Sequence, residues 1–126
     1  MNEVMTQSAK VVCKRILLVD DEPQVSQTIR LLLGLDGHTV VEATSATQAL
    51  ELFNREGFDL VITDFRLPDF MGDKLITQMR QISPAQQILL MSGSVDGCFS
   101  DIGLHANGIL AKPILLVDLQ EALAKL

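Results

Sequence analysis

The sequence predicts an α/β domain: a doubly wound, five-stranded parallel sheet flanked by helices. Short runs that are apolar at every position recur along the chain, the pattern of strands covered on both faces. Between them lie segments with apolar residues at helical spacing. The two kinds alternate as β-α-β-α-β-α-β-(α)-β-α, and right-handed crossovers then restrict the topology sharply.

Residues 1–14 are polar and small without a period, a flexible N-terminal leader before a domain over 15–126. The first strand is Ile16-Leu17-Leu18-Val19. Val25, Ile29, Leu32 and Leu33 follow at i, i+4, i+7 and i+8, with Pro23 suited to a first helical turn. His38-Thr39-Val40-Val41-Glu42 reads as a strand with one partly exposed face. Ala46, Ala49, Leu50 and Phe53 mark the second helix, which Ser45 or Thr44 can cap. Leu60-Val61-Ile62 is the third strand, and Leu75, Met79 and Ile82 define the helix that Pro84 ends. Ile88-Leu89-Leu90-Met91 and Ile109-Leu110-Ala111 are the fourth and fifth strands. Gly93, Gly97, Gly103 and Gly108 break the segment joining them, so the fourth helix is expected to be short or irregular. Leu116, Leu119, Leu123 and Leu126 form the last apolar stripe.

A chain of 126 residues makes one domain and can bury a core without a disulfide or structural metal. Its 48% apolar and 21% charged residues exclude disorder, collagen and coiled coil. With no Trp or Tyr, the core rests on aliphatic residues, Met and Phe. A net charge of −6 repels nucleic acid and anionic membranes, and suits a cation or a partner with a basic patch. Cys13 and Cys98 show no metal-ligand spacing and are expected as reduced thiols in a cytoplasmic protein. No apolar run exceeds the four residues of Ile16–Val19, too few for a membrane span, and the first 14 residues do not resemble a secretion signal.

Open parallel sheets bind ligands beyond the carboxyl ends of their strands. Here those ends carry Asp20-Asp21-Glu22, Thr63-Asp64, Ser92-Gly93-Ser94 and Lys112-Pro113. Asp20, Asp21 and Asp64 crowded into one cleft would repel, and Mg²⁺, a hard cation that takes carboxylate, water and phosphate oxygens, would relieve them. A carboxylate can also attack phosphorus to give an aspartyl phosphate, with Lys112 and Ser92 meeting the phosphoryl oxygens. Each residue has a plainer reading. The acidic triplet before Pro23 can cap a helix, Asp64 can be a loop aspartate, and Ser92 a turn serine with Ser94 as its rival. Lys112 at a helix start opposes the helix dipole, a local misfit that favours function. Asp69 and Asp73 read as loop and helix-capping residues, and His38 and His105 as ordinary histidines.

Together, Val-Asp20-Asp21-Glu-Pro, Thr63-Asp64-Phe-Arg-Leu-Pro68 with Gly72, Met91-Ser92-Gly and Ala111-Lys112-Pro113 resemble the signature of bacterial response-regulator receiver domains. The four motifs stand in the family's order over residues 14–126. The resemblance implies a flavodoxin-like sheet of order 2-1-3-4-5, with Asp64 as phosphoacceptor. Asp20 and Asp21 would hold Mg²⁺, with Asp21 and Asp64 as direct ligands and the Arg66 carbonyl completing the set. Ser92 and Lys112 would grip the phosphoryl oxygens, and a cis bond would precede Pro113. The donor would be a phosphohistidine on a sensor histidine kinase or phosphotransfer protein, and the output an effector domain or target protein. Such a domain is a signalling switch that assists only its own phosphoryl transfer and hydrolysis.

Two features depart from the family. Ile109 stands where Tyr or Phe is usual, and Ser92 and Lys112 are only 20 positions apart. They support an alternative, a receiver-like docking module that is not phosphorylated. An aspartyl phosphohydrolase would want an acid two positions past Asp64, where this chain has Arg66. An FMN carrier would want aromatic walls and a Ser/Thr-rich phosphate loop.

Overall fold

The computed structural model describes residues 13–93 and 106–126. The expected leader up to residue 12, the expected short fourth helix, Ser94, Cys98 and His105 lie outside the described residues. The elements are β1 (Arg15–Val19), α1 (Pro23–Leu35), β2 (Thr39–Ala43), α2 (Ala46–Arg55), β3 (Leu60–Asp64), α3 (Gly72–Ile82), β4 (Ile88–Ser92), β5 (Gly108–Ala111) and α4 (Leu116–Ala124). The five strands form one parallel sheet in the order β2-β1-β3-β4-β5, as expected.

The continuous apolar runs mark the interior of the sheet. Every residue of β3 and β4 is buried, as is every residue of β1 after Arg15. Alternate side chains feed two cores. Leu17, Val19, Val61, Ile88 and Leu90 pack with Ala49 and Phe53 of α2 and Leu75, Ile76 and Met79 of α3. Ile16, Leu18, Leu60, Ile62, Leu89 and Met91 pack with Ile29 and Leu33 of α1 and Leu119 of α4. The sheet is therefore wound on both faces.

Two apolar positions depart from the sequence reading. Ile82 ends α3 pointing outward, and Ile76 joins Leu75 and Met79 in the core instead. The fifth strand is not covered on both faces: β5 is an edge strand, with Leu110 buried and Ile109 47% exposed.

Local chemistry sets the ends of the helices. Pro23 opens α1, where its missing N–H costs nothing. Asp36 ends it, and Gly37 then takes a φ of +85°, which a residue without Cβ adopts freely. Gly37 N–H reaches Gly34 O at 3.0 Å and His38 N–H reaches Leu33 O at 3.2 Å, so the last carbonyls are satisfied and the chain turns into β2. Ser45 caps α2, its side chain accepting from Gln48 N–H at 3.1 Å. No described helix is long and apolar enough to cross a membrane.

Candidate functional site

The register brings the strand ends to one rim. Val19 is level with Thr63, Asp64 with Met91, and Ser92 with Ala111. The residues just beyond those pairs are Asp20, Asp21 and Lys112. The rim holds a cleft of about 590 Å³ lined by Asp21, Glu22, Asp64, Phe65, Arg66, Leu67, Pro68, Ser92, Gly93 and Lys112. Every residue predicted for the site lines this cleft except Asp20, which is buried.

Asp20, Asp21 and Asp64 each offer a carboxylate oxygen within 4.8 Å of the others. Asp20 is 1% exposed; its N–H donates to Ala43 O at 3.0 Å and its Oδ1 accepts from Glu22 N–H at 2.9 Å. Burial pushes its pKa above the usual carboxylate value, against the opposing pull of the Glu22 N–H and Lys112. Asp64 ends β3. Its Oδ1 accepts from Phe65 N–H at 2.8 Å, and its carbonyl accepts from the Thr63 hydroxyl at 3.0 Å. The capping reading of the acidic triplet finds limited support. Glu22 occupies the N-cap of α1 but its side chain makes no cap bond.

Lys112 crosses from the end of β5. Its N–H donates to Ser92 O at 2.8 Å, and the peptide to Pro113 is cis. Its Nζ lies 3.1 Å from Asp64 Oδ2, 3.5 Å from Asp20 Oδ2 and 3.5 Å from Glu22 Oε1. The side chain is 18% exposed. Burial opposes its charge, but the hydrogen bond to Asp64 and the fields of Asp20, Asp64 and Glu22 outweigh that and raise its pKa. Ser92, 4% exposed, closes the cleft from β4. Arg66 is exposed on the rim, its guanidinium 6.0 Å from the Phe65 ring centroid.

The donor set fits a hard divalent cation. Among the described residues a single ammonium faces three clustered carboxylates, two of them buried, so the cleft keeps a negative excess that oxygen-seeking Mg²⁺ suits.

Two residues take parts that their local sequence did not signal. Glu22 reaches Lys112, 90 positions away. Asp69 accepts from the first residues of α2, 22 and 23 positions upstream. It was expected to be a loop or capping residue, but nothing in its neighbourhood points to a helix so far back. The little burial Asp69 has opposes its charge; bonds from the Thr47 hydroxyl and the N–H groups of Thr47 and Ala46 prevail and lower its pKa to about 2.

The parallel sheet thus presents three acids and a lysine together at its carboxyl rim. The response regulator receiver domain model matches residues 16–124, and the chain belongs to that family. The family's standard function is to accept a phosphoryl group within two-component signalling. The chain is 34% identical over 113 residues to the response regulator protein PilR of Pseudomonas aeruginosa, covering 88% of this chain and 25% of PilR. It is 37% identical over the same length to the alginate biosynthesis transcriptional regulatory protein AlgB of Pseudomonas syringae pv. tomato, with coverage of 88% and 25%. The chain thus spans about a quarter of these relatives. Among solved structures, a CheY-like receiver domain protein from Methanospirillum hungatei is 28% identical with a TM-score of 0.84, covering 90% of this chain and 93% of its own. The response regulator TrrA from Thermotoga maritima, solved in complex with Mg²⁺-BeF, is 27% identical with a TM-score of 0.83, covering 89% and 97%.

Proposed function

We propose that Asp64 is the phosphoacceptor of this receiver domain, comprising residues 15–126, and that it draws its phosphoryl group from a phosphohistidine of a sensor histidine kinase or phosphotransfer protein. The observation that carries this is Lys112 Nζ at 3.1 Å from Asp64 Oδ2 inside a cluster of three carboxylates. The docking-module alternative has no use for a lysine held among acids.

Asp64 Oδ1 is engaged by Phe65 N–H, while Oδ2 lies in the cleft beside Lys112 Nζ. A remaining lone pair of Oδ2 attacks phosphorus, the P–N bond breaks, and the electron pair leaves with the imidazole, which takes up a proton. Lys112 is already in place to exchange its carboxylate bond for a phosphoryl oxygen. Ser92 offers a hydroxyl from the end of the neighbouring strand β4. Asp20, Asp21, Asp64 and the Arg66 carbonyl would hold Mg²⁺, which when bound neutralises phosphoryl charge. Turnover is confined to the domain's own phosphorylation and hydrolysis. The product is a switch between two conformational populations, read by an effector domain or a target protein.

The test is incubation with a small phosphodonor and Mg²⁺, followed by intact-mass analysis. Wild type should gain one phosphoryl mass and Asp64→Ala none. Equal labelling of both would refute the assignment. Mg²⁺ with beryllofluoride, the pair bound in the TrrA structure, should shift amide resonances around Asp64.

A further inference from the structure

The loop between β3 and α3, residues 65–71, carries Phe65 and Arg66 along one wall of the cleft. Its base is closed: Gly72 N–H donates to Phe65 O at 2.6 Å. Its tip is held by a different element. Asp69 Oδ1 accepts from Ala46 N–H at 2.9 Å, and Oδ2 accepts from Thr47 N–H at 2.7 Å and from the Thr47 hydroxyl at 2.6 Å. Phe70 N–H adds a bond to Oδ1 at 3.1 Å, which orients the carboxylate within its own loop.

Ala46 and Thr47 are the first two residues of α2, and such N–H groups have no partner inside their helix. Ser45, the N-cap, takes only Gln48 N–H. Asp69 therefore supplies acceptors that the local cap does not, and its charge sits at the positive end of the helix dipole. A cap needed only for helix stability can come from the adjacent residues, as Ser45 shows. One drawn from a separate loop removes freedom from that loop. Ligand sets that depend on a backbone carbonyl gain affinity when the supporting contacts fix that backbone in advance.

We propose that Asp69 is a positioning residue: by gripping the N-terminus of α2, it holds the 65–71 loop in the shape in which the Arg66 carbonyl serves the Mg²⁺ site. This rests on the reading of Arg66 as a carbonyl ligand. Asp69 itself touches neither cation nor phosphoryl group. Its effect falls on affinity for Mg²⁺ and leaves the rate at saturating Mg²⁺ nearly unchanged.

The experiment titrates Mg²⁺ alone and follows the backbone amides of Asp64 and Phe65 by NMR. Wild type, Asp69→Ala, Thr47→Val and the double variant are compared, each with a thermal melt without Mg²⁺. Asp69→Ala should raise the Mg²⁺ dissociation constant by about 10-fold, the lower end of what support residues of metal sites contribute. Thr47→Val should shift it less, in the same direction, and the double variant should be no worse than Asp69→Ala because both remove one shared contact. A folded Asp69→Ala with the wild-type dissociation constant overturns the proposal. If Asp69→Ala does not fold, an unshifted Thr47→Val overturns it instead. A wild type that does not titrate with Mg²⁺ overturns the cation reading and the proposal with it, whereas a titrating wild type beside an unshifted variant overturns the proposal alone.

Discussion

Single residues in the cleft are set against stability. Asp20 is buried beside Asp64, with its pKa raised, so keeping it ionised costs folding free energy that Lys112 offsets only in part. Asp20→Asn should raise the stability of the Mg²⁺-free protein by about 1 kcal/mol, about 4 °C in melting temperature, while weakening Mg²⁺ binding. Calorimetry and a Mg²⁺ titration of one sample check both halves. Arg66 stands on the rim beside Phe65, where its guanidinium can cover a phosphorylated Asp64 and hinder water. Arg66→Asn should shorten the phosphoryl lifetime several-fold; an equal lifetime would leave Arg66 as a surface charge. Away from the cleft, His38 Nδ1 accepts from Lys14 N–H at 2.9 Å. Burial lowers its pKa below 6.5, with Asp36 opposing and Lys14 adding to the shift. The unfolded chain therefore binds the proton first as pH falls. The stability tied to neutral His38 is complete above pH 6.5 and is lost as pH drops through the lower folded value. Urea midpoints at about pH 7.5 and 5.5 should differ less in His38→Asn, whose amide oxygen replaces the acceptor.

Among the described glycines, Gly72 in the turn from β3 into α3 has the least room for a side chain. A Cβ on Gly72 would lie 2.5 Å from Asp64 O and 3.0 Å from Phe65 Cα, both backbone atoms with no flexible end to yield. Gly72→Ala should cost about 1–3 kcal/mol and slow phosphoryl uptake, because the loop moves and carries the end of β3 with it. Chemical denaturation and the mass assay measure the two effects. Legibility differs between elements for physical reasons. β1, β3 and β4 could be read because burial on both faces forces every position to be apolar, and α1 and α2 because their caps and stripes lie within a few residues. Ile82 misled because apolar spacing cannot show where a helix leaves the core. Ile109 misled because the run Ile109-Leu110-Ala111 is the same whether a strand is central or at an edge. The acids and Lys112 were legible as motifs at strand ends, whereas Glu22 and Asp69 were not, since each finds its partner only through the folded topology.

At the scale of the molecule, two separate cores clamp one sheet, and each depends on its own helices. Met79→Ala on the α2–α3 side and Leu33→Ala on the α1–α4 side should each cost about 2–5 kcal/mol. Because the layers do not share helices, their effects should add within about 0.5 kcal/mol in the double variant. The proposed phosphoacceptor site belongs to neither layer. Its side chains hang from the margins of strands and the short turns that leave them, so the outer surfaces of all four described helices carry none of the chemistry. Recognition can thus be rewritten on those exteriors like a new address on an unopened envelope: exchanging solvent-facing positions for those of a relative should redirect the domain to another sender while its reactivity toward a small donor stays the same.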